Sequence, residues 1–84
     1  MTASLSTYRK AIDRIDDRLF TLIKKRIMFV CKIWRYKKKK GLPKYDRVRE
    51  KQMVRVAAEK TGLPTSQVQK LYQVLFALQN RIKK

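Results

Sequence analysis

Arg26 and Lys37 are the residues from which a chemistry can first be read. Ile12, Ile15, Leu19, Leu22, Phe29 and Ile33 recur at steps of three and four, the spacing of one buried helical seam. Position 26 falls in that seam and holds an arginine. Lys37 follows eleven residues later, almost a whole number of turns at ~3.6 residues per turn. A buried guanidinium is costly unless something negative meets it, so the seam predicts a bound anion. Further on, Asp46, Arg49 and Glu50 fall within about one turn of each other; taken alone they read as a local surface ion-pair set. The chain has no histidine, which removes the usual general base, the usual metal ligand and most hydrolase mechanisms. Cys31 is the single cysteine, so an internal disulfide and a Cys-rich metal site are excluded. Within Met28-Phe29-Val30-Cys31 it reads as a small buried hydrophobe.

These groups need a scaffold, and the sequence predicts three helices, long then medium then medium. The first runs over residues 5–39, capped by Ser4 or Ser6 and ended by Gly41-Leu42-Pro43. Asp13, Asp16 and Asp17 lie towards its start and Lys37-Lys38-Lys39-Lys40 at its end, an order that complements the helix dipole. Lys38, Lys39 and Lys40 read as a solvated helix end. Trp34 and Tyr36 interleave with the basic run, a pattern also used on nucleic acid, although Trp34 beside Ile33 reads better as helix packing. Asp46 caps a second helix over 47–60, with Val48, Met53, Val54, Val56 and Ala57 as its apolar side. Thr61-Gly62-Leu63-Pro64 breaks the chain again. A third helix over 65–83 opens on Ser66-Gln67-Val68-Gln69, which fits a capping box. Its stripe is Val68, Leu71, Tyr72, Leu75, Leu78 and Ile82, with Gln79 beside it.

The chain of 84 residues is expected to form a single small domain, and its first helix, ~50 Å long at ~1.5 Å per residue, outruns a compact monomer of that size. The expectation is an obligate homodimer. Lys and Arg number 23 against six acids, a net charge of +17 that draws anions of any kind. The longest uninterrupted apolar run, Ile27–Cys31, is far too short to span a membrane, and no signal-peptide core is visible, so a cytoplasmic location is expected.

In this ordered set the sequence resembles the all-α chorismate mutase family, also called type II. The match is carried by Tyr8-Arg9-Lys10-Ala11-Ile12-Asp13-Arg14-Ile15-Asp16, Arg26, Lys37 and Gly41-Leu42-Pro43. It continues through Asp46-Arg47-Val48-Arg49-Glu50 and Leu71-Tyr72-Gln73, nearly the whole chain. The resemblance implies an all-α homodimeric bundle with entwined long helices, each site built mostly by one protomer and completed by Arg9 of the other. It implies the Claisen rearrangement of chorismate to prephenate, an isomerisation on the shikimate route to phenylalanine and tyrosine. That reaction is unimolecular and needs no cofactor or metal, which suits a histidine-free chain. By the same resemblance Arg26 clamps one carboxylate, while Lys37 binds a carboxylate and donates to the breaking ether oxygen. Glu50 accepts from the ring hydroxyl, Asp46 orients that end, and Arg49 braces the acids and faces the substrate. Arg14, Arg18, Arg47 and Arg55 are left as surface residues.

The last helix departs from the family pattern of a serine followed four residues later by a glutamine, since Gln79 and Lys83 stand there. Either Lys83 meets the ether oxygen, or Gln79 reaches it from one turn earlier and Lys83 faces solvent. Within the same fold the rivals are an isochorismate-pyruvate lyase and an aminodeoxychorismate mutase, but Asp46-x-x-Arg49-Glu50 looks more like the mutase. A basic nucleic-acid-binding protein is the rival from another class; seam-facing Arg26 and the acids Asp46 and Glu50 argue against it. A third rival is a degenerate mutase that docks on a partner enzyme of the pathway.

Overall fold

The computed structural model describes residues 4–82, with side-chain surroundings to residue 81. It is all-α: α1 spans Leu5–Lys40, α2 Arg47–Thr61 and α3 Thr65–Ile82. Helix α1 starts where Ser4, rather than Ser6, takes the Thr7 N–H on its side chain at 3.2 Å. It ends at Gly41, whose φ of 70° is the left-handed conformation that a β-carbon disfavours. There the Leu42 N–H turns back to the Lys37 carbonyl at 2.8 Å, satisfying one of the last orphan acceptors. Helix α2 is capped by Asp46, whose Oδ1 accepts the Arg49 N–H at 3.0 Å. It stops at Gly62, again left-handed. The capping box foreseen at Ser66 is not the device that starts α3. The helix begins one residue earlier, and the Pro64 carbonyl takes the Gln67 and Val68 N–H groups, which puts Ser66 inside the first turn.

Helix α3 packs against both α1 and α2. Its inward face carries Val68, Tyr72, Leu75, Phe76 and Gln79, with Val68 only 1% exposed. Leu71 and Leu78, placed on the stripe by the sequence, are on its exposed edge. On α2 the packed residues are Glu50, Met53, Val54, Ala57 and Ala58. Val48 and Val56 do not join them: at about 100° per residue Val48 falls on the opposite side of α2 and Val56 on its flank, and both are exposed.

The long seam on α1 is corrected in the same way. Ile12, Ile15, Leu19, Leu22, Phe29 and Ile33 are 48–62% exposed within the chain. The face turned inward is instead Ile23, Arg26, Ile27, Val30, Cys31, Trp34 and Lys37, all half-buried. For Ile12, Ile15, Leu19 and Leu22 the reason is length, while Phe29 and Ile33 lie at the edge of the inward face. At ~1.5 Å per residue the 18 residues of α3 cover ~27 Å, half of the ~54 Å of the 36-residue α1. The N-terminal half of α1 is left as an uncovered apolar arm, and the chain measures 60 × 26 × 16 Å. Among the described residues no helix is long and apolar enough to cross a membrane.

Candidate active site

Four segments meet at one cavity of about 140 Å³. Helix α1 brings Arg26, Val30, Ile33, Trp34 and Lys37, and the linker to α2 brings Lys44, Tyr45 and Asp46. Helix α2 adds Arg49, Glu50 and Met53, and α3 adds Phe76, Gln79 and Asn80. Arg26, Lys37, Asp46, Arg49, Glu50 and Gln79, singled out in the sequence, therefore all line one space. The cavity is smaller than a usual ligand pocket of ~300 Å³ or more, and it lies where the three helices stop covering each other.

Arg26 is held from two sides. Its Nη1 donates to Oε1 of Gln79, and its guanidinium lies over the Tyr72 ring, 5.6 Å from the centroid. Gln79 is 5% exposed and stands at the middle of the inward face of α3, not beside it. Because Oε1 accepts from Arg26, the amide is oriented with Nε2 as its donor end. Lys37, at the other end of the cavity, donates to the Lys44 carbonyl at 3.1 Å. About 16 Å of helix separates positions 26 and 37, so the two cations face the cavity from opposite ends. The acids line the same cavity. Glu50 is half-buried in the first turn of α2; Asp46 is exposed and already engaged through Oδ1 as the cap of that helix. The pairing of Asp46 with Arg49 is thus side chain to backbone. The arrangement offers cations for two carboxylates and acidic acceptors for a hydroxyl, and it holds no nucleophile–base pair.

Arg9 is not brought to this cavity by its own chain. It lies seventeen residues before Arg26 on the same straight helix, ~25 Å away along the axis, and is exposed. Lys83 lies outside the described residues. Lys38, Lys39 and Lys40 are exposed, as are Arg14, Arg18, Arg47 and Arg55. Among the described residues no group of three Cys, Asp or Glu side chains could hold a metal ion. The sequence reading placed Tyr72 only on the apolar stripe and gave no site role to it under Arg26, to Lys44 beside Trp34, or to the Tyr45 hydroxyl donating to Asn80 Oδ1 at 3.4 Å. Tyr72 could have been given one: it precedes Gln79 by seven residues, two turns, on the same face.

The profile of the family described as chorismate mutase type II matches residues 8–83. The chain belongs to that family. A protein of Pyrobaculum aerophilum named 3-dehydroquinate dehydratase is similar to it, 44% identical over 55 residues. Those residues make up 66% of this chain but 18% of that relative, so the likeness concerns a small part of a longer protein. No solved structure matches the chain. For a chorismate mutase-type chain, the cavity just described is the one place where Arg26, Lys37, Glu50 and Gln79 come together among the described residues.

Proposed function

We propose that residues 1–84 act as one chorismate mutase domain that rearranges chorismate to prephenate on the route to phenylalanine and tyrosine, in the cytoplasm. The observation that carries this reading is the convergence of Arg26, Lys37, Glu50 and Gln79 on one cavity in a member of this family. The substrate is a dianion whose rearrangement exchanges a carbon–oxygen bond for a carbon–carbon bond within one molecule. Such a step is accelerated by holding the reacting arms together and by stabilising charge that grows on the ether oxygen. Arg26 presents a planar fork to one carboxylate, a role lysine fills less well. Gln79 and Tyr72 set the direction of that fork. Lys37 meets the second carboxylate and the ether oxygen. The Nε2 of Gln79 is the further donor for that oxygen, since its Oε1 is committed to Arg26. Glu50 accepts from the ring hydroxyl, with Asp46 and Arg49 orienting that end.

The site is completed by a second copy. The accessible surface is 7809 Å², against about 5300 Å² expected for a compact 10.1 kDa monomer. The apolar arm of α1 contributes to the excess, and an antiparallel partner would cover it while carrying its own Arg9 to the far cavity. The long relative fits a further idea, that a chain of this kind works beside another enzyme of the pathway.

Incubation with chorismate and, separately, with isochorismate tests the reading. Prephenate from chorismate is the expected result. Salicylate and pyruvate from isochorismate, with chorismate untouched, replace it by a lyase.

A further inference from the structure

Residue 44 is joined to α1 twice, in opposite directions. Its backbone carbonyl accepts the Lys37 Nζ at 3.1 Å. Its own Nζ lies 3.9 Å from the centroid of the Trp34 ring and 5.4 Å from that of Tyr45. Positions 34 and 37 are one turn apart, so the two contacts straddle a single turn of α1. The next residue, Tyr45, reaches Asn80 on α3 with its hydroxyl, and Asp46 then caps α2. The short linker is thereby pinned to all three helices. Trp34, Lys37 and Lys44 also form the wall shared by the functional cavity and a neighbouring groove of about 540 Å³ that includes Cys31, Arg35, Lys38 and Leu42.

We propose that Lys44 is a positioning residue: its ammonium, latched on Trp34, fixes the linker so that its carbonyl holds Lys37 in line with the cavity. This rests on the reading of Lys37 as the cation that meets the substrate. A lysine side chain has four rotatable bonds, and an ammonium without a fixed partner spreads over many rotamers. A carbonyl set at 3.1 Å takes one of its three protons and leaves two for the anion. The carbonyl can do this only if the linker is itself immobile. Ammonium over indole is the strongest of the common cation–ring pairs, and at 3.9 Å the contact is close. The latch also keeps the shared wall shut, separating the reacting molecule from water in the neighbouring groove.

Trp34 is the single tryptophan, so its emission reports the latch without interference. The experiment compares the unaltered protein with Lys44→Met, Lys44→Arg, Trp34→Leu and the double variant Lys44→Met/Trp34→Leu. Three readouts are used: Trp34 emission, the nitrogen–proton signal of the Lys37 ammonium, and steady-state turnover of chorismate. Lys44→Met is expected to shift the emission, blur the Lys37 signal and lower kcat by roughly tenfold, with KM moved by less than about threefold. Lys44→Arg, which keeps a cation over the ring, restores all three. Trp34→Leu has the same kinetic effect as Lys44→Met, and the double variant loses no more than either alone. If Lys44→Met leaves the Lys37 signal and kcat unchanged, the proposal is overturned. It is equally overturned if the two losses simply add. Should Lys44→Met fail to fold, Trp34→Leu and Lys44→Arg decide by the Lys37 signal and by turnover. Should the unaltered protein make no prephenate, the chorismate reading falls, and the Lys37 signal in the variants alone decides the latch.

Discussion

Arg26 is where function and stability meet in one side chain. It lies half-buried between a tyrosine ring and an amide that is almost wholly enclosed. Removing it takes away the proposed carboxylate clamp, and it also strands Oε1 of Gln79 in a buried setting. An orphaned buried acceptor costs about 1–3 kcal/mol, so Arg26→Ala is expected to unfold earlier by that amount in a denaturant titration. Adding Gln79→Leu, which removes the stranded group, is expected to recover most of the stability and none of the turnover. Recovery of activity in the double variant would make Arg26 a packing residue. Asp46 offers a similar separation. Asp46→Asn keeps an acceptor for the Arg49 N–H and is expected to melt like the parent; Asp46→Ala loses the cap and about 1 kcal/mol. Both remove the charge, so both are expected to raise KM for chorismate. At this scale Arg26 and Lys37 were marked by their phase on the apolar seam and Glu50 and Gln79 by the family resemblance, and all four line one cavity. The sequence could not show that Gln79 serves Arg26, because a hydrogen bond across 53 positions has no local signature.

The three helices were legible because their ends are written in strong punctuation. Gly41 and Gly62 each take the left-handed conformation, with Pro43 and Pro64 following, and the helix ends fall within a residue of those expected. Gly41→Ala tests this: an added β-carbon meets nothing within 4 Å, so the expected penalty is conformational alone. It should amount to about 1 kcal/mol, several degrees in Tm, without loss of kcat per folded molecule. A neutral result would mean that the linker relaxes freely. Which face of each helix is packed was less legible. On α2 the apolar residue Val48 lies away from Met53 and Val54 and Val56 lies on the flank beside Met53, so composition suggested a stripe that geometry does not form. On α1 the periodic residues were read as a buried seam with a second copy alongside, and within the single chain α3, half as long, leaves them exposed.

As a single chain the molecule is extended rather than compact. Its radius of gyration is 16.5 Å, against about 12 Å for a compact chain of 84 residues, and its apolar arm carries Ile12, Ile15, Leu19 and Leu22 into solvent. Light scattering on the eluting protein is expected to give twice the mass of one chain. A mixture of Arg9→Ala and Arg26→Ala chains is expected to regain about a quarter of parental activity, since half of the dimers are mixed and each holds one intact site. No regain would place Arg9 outside the catalytic unit. The central claim is that cations on the inward face of α1 grip a dianion and turn it to prephenate. Its most direct test follows prephenate formation from chorismate by the parent and by Arg26→Ala, both shown to be folded. The parent is expected to turn over and the variant to lose at least about a hundredfold in kcat/KM. A folded, dimeric parent that leaves chorismate unchanged, or a variant that matches it, would contradict the account.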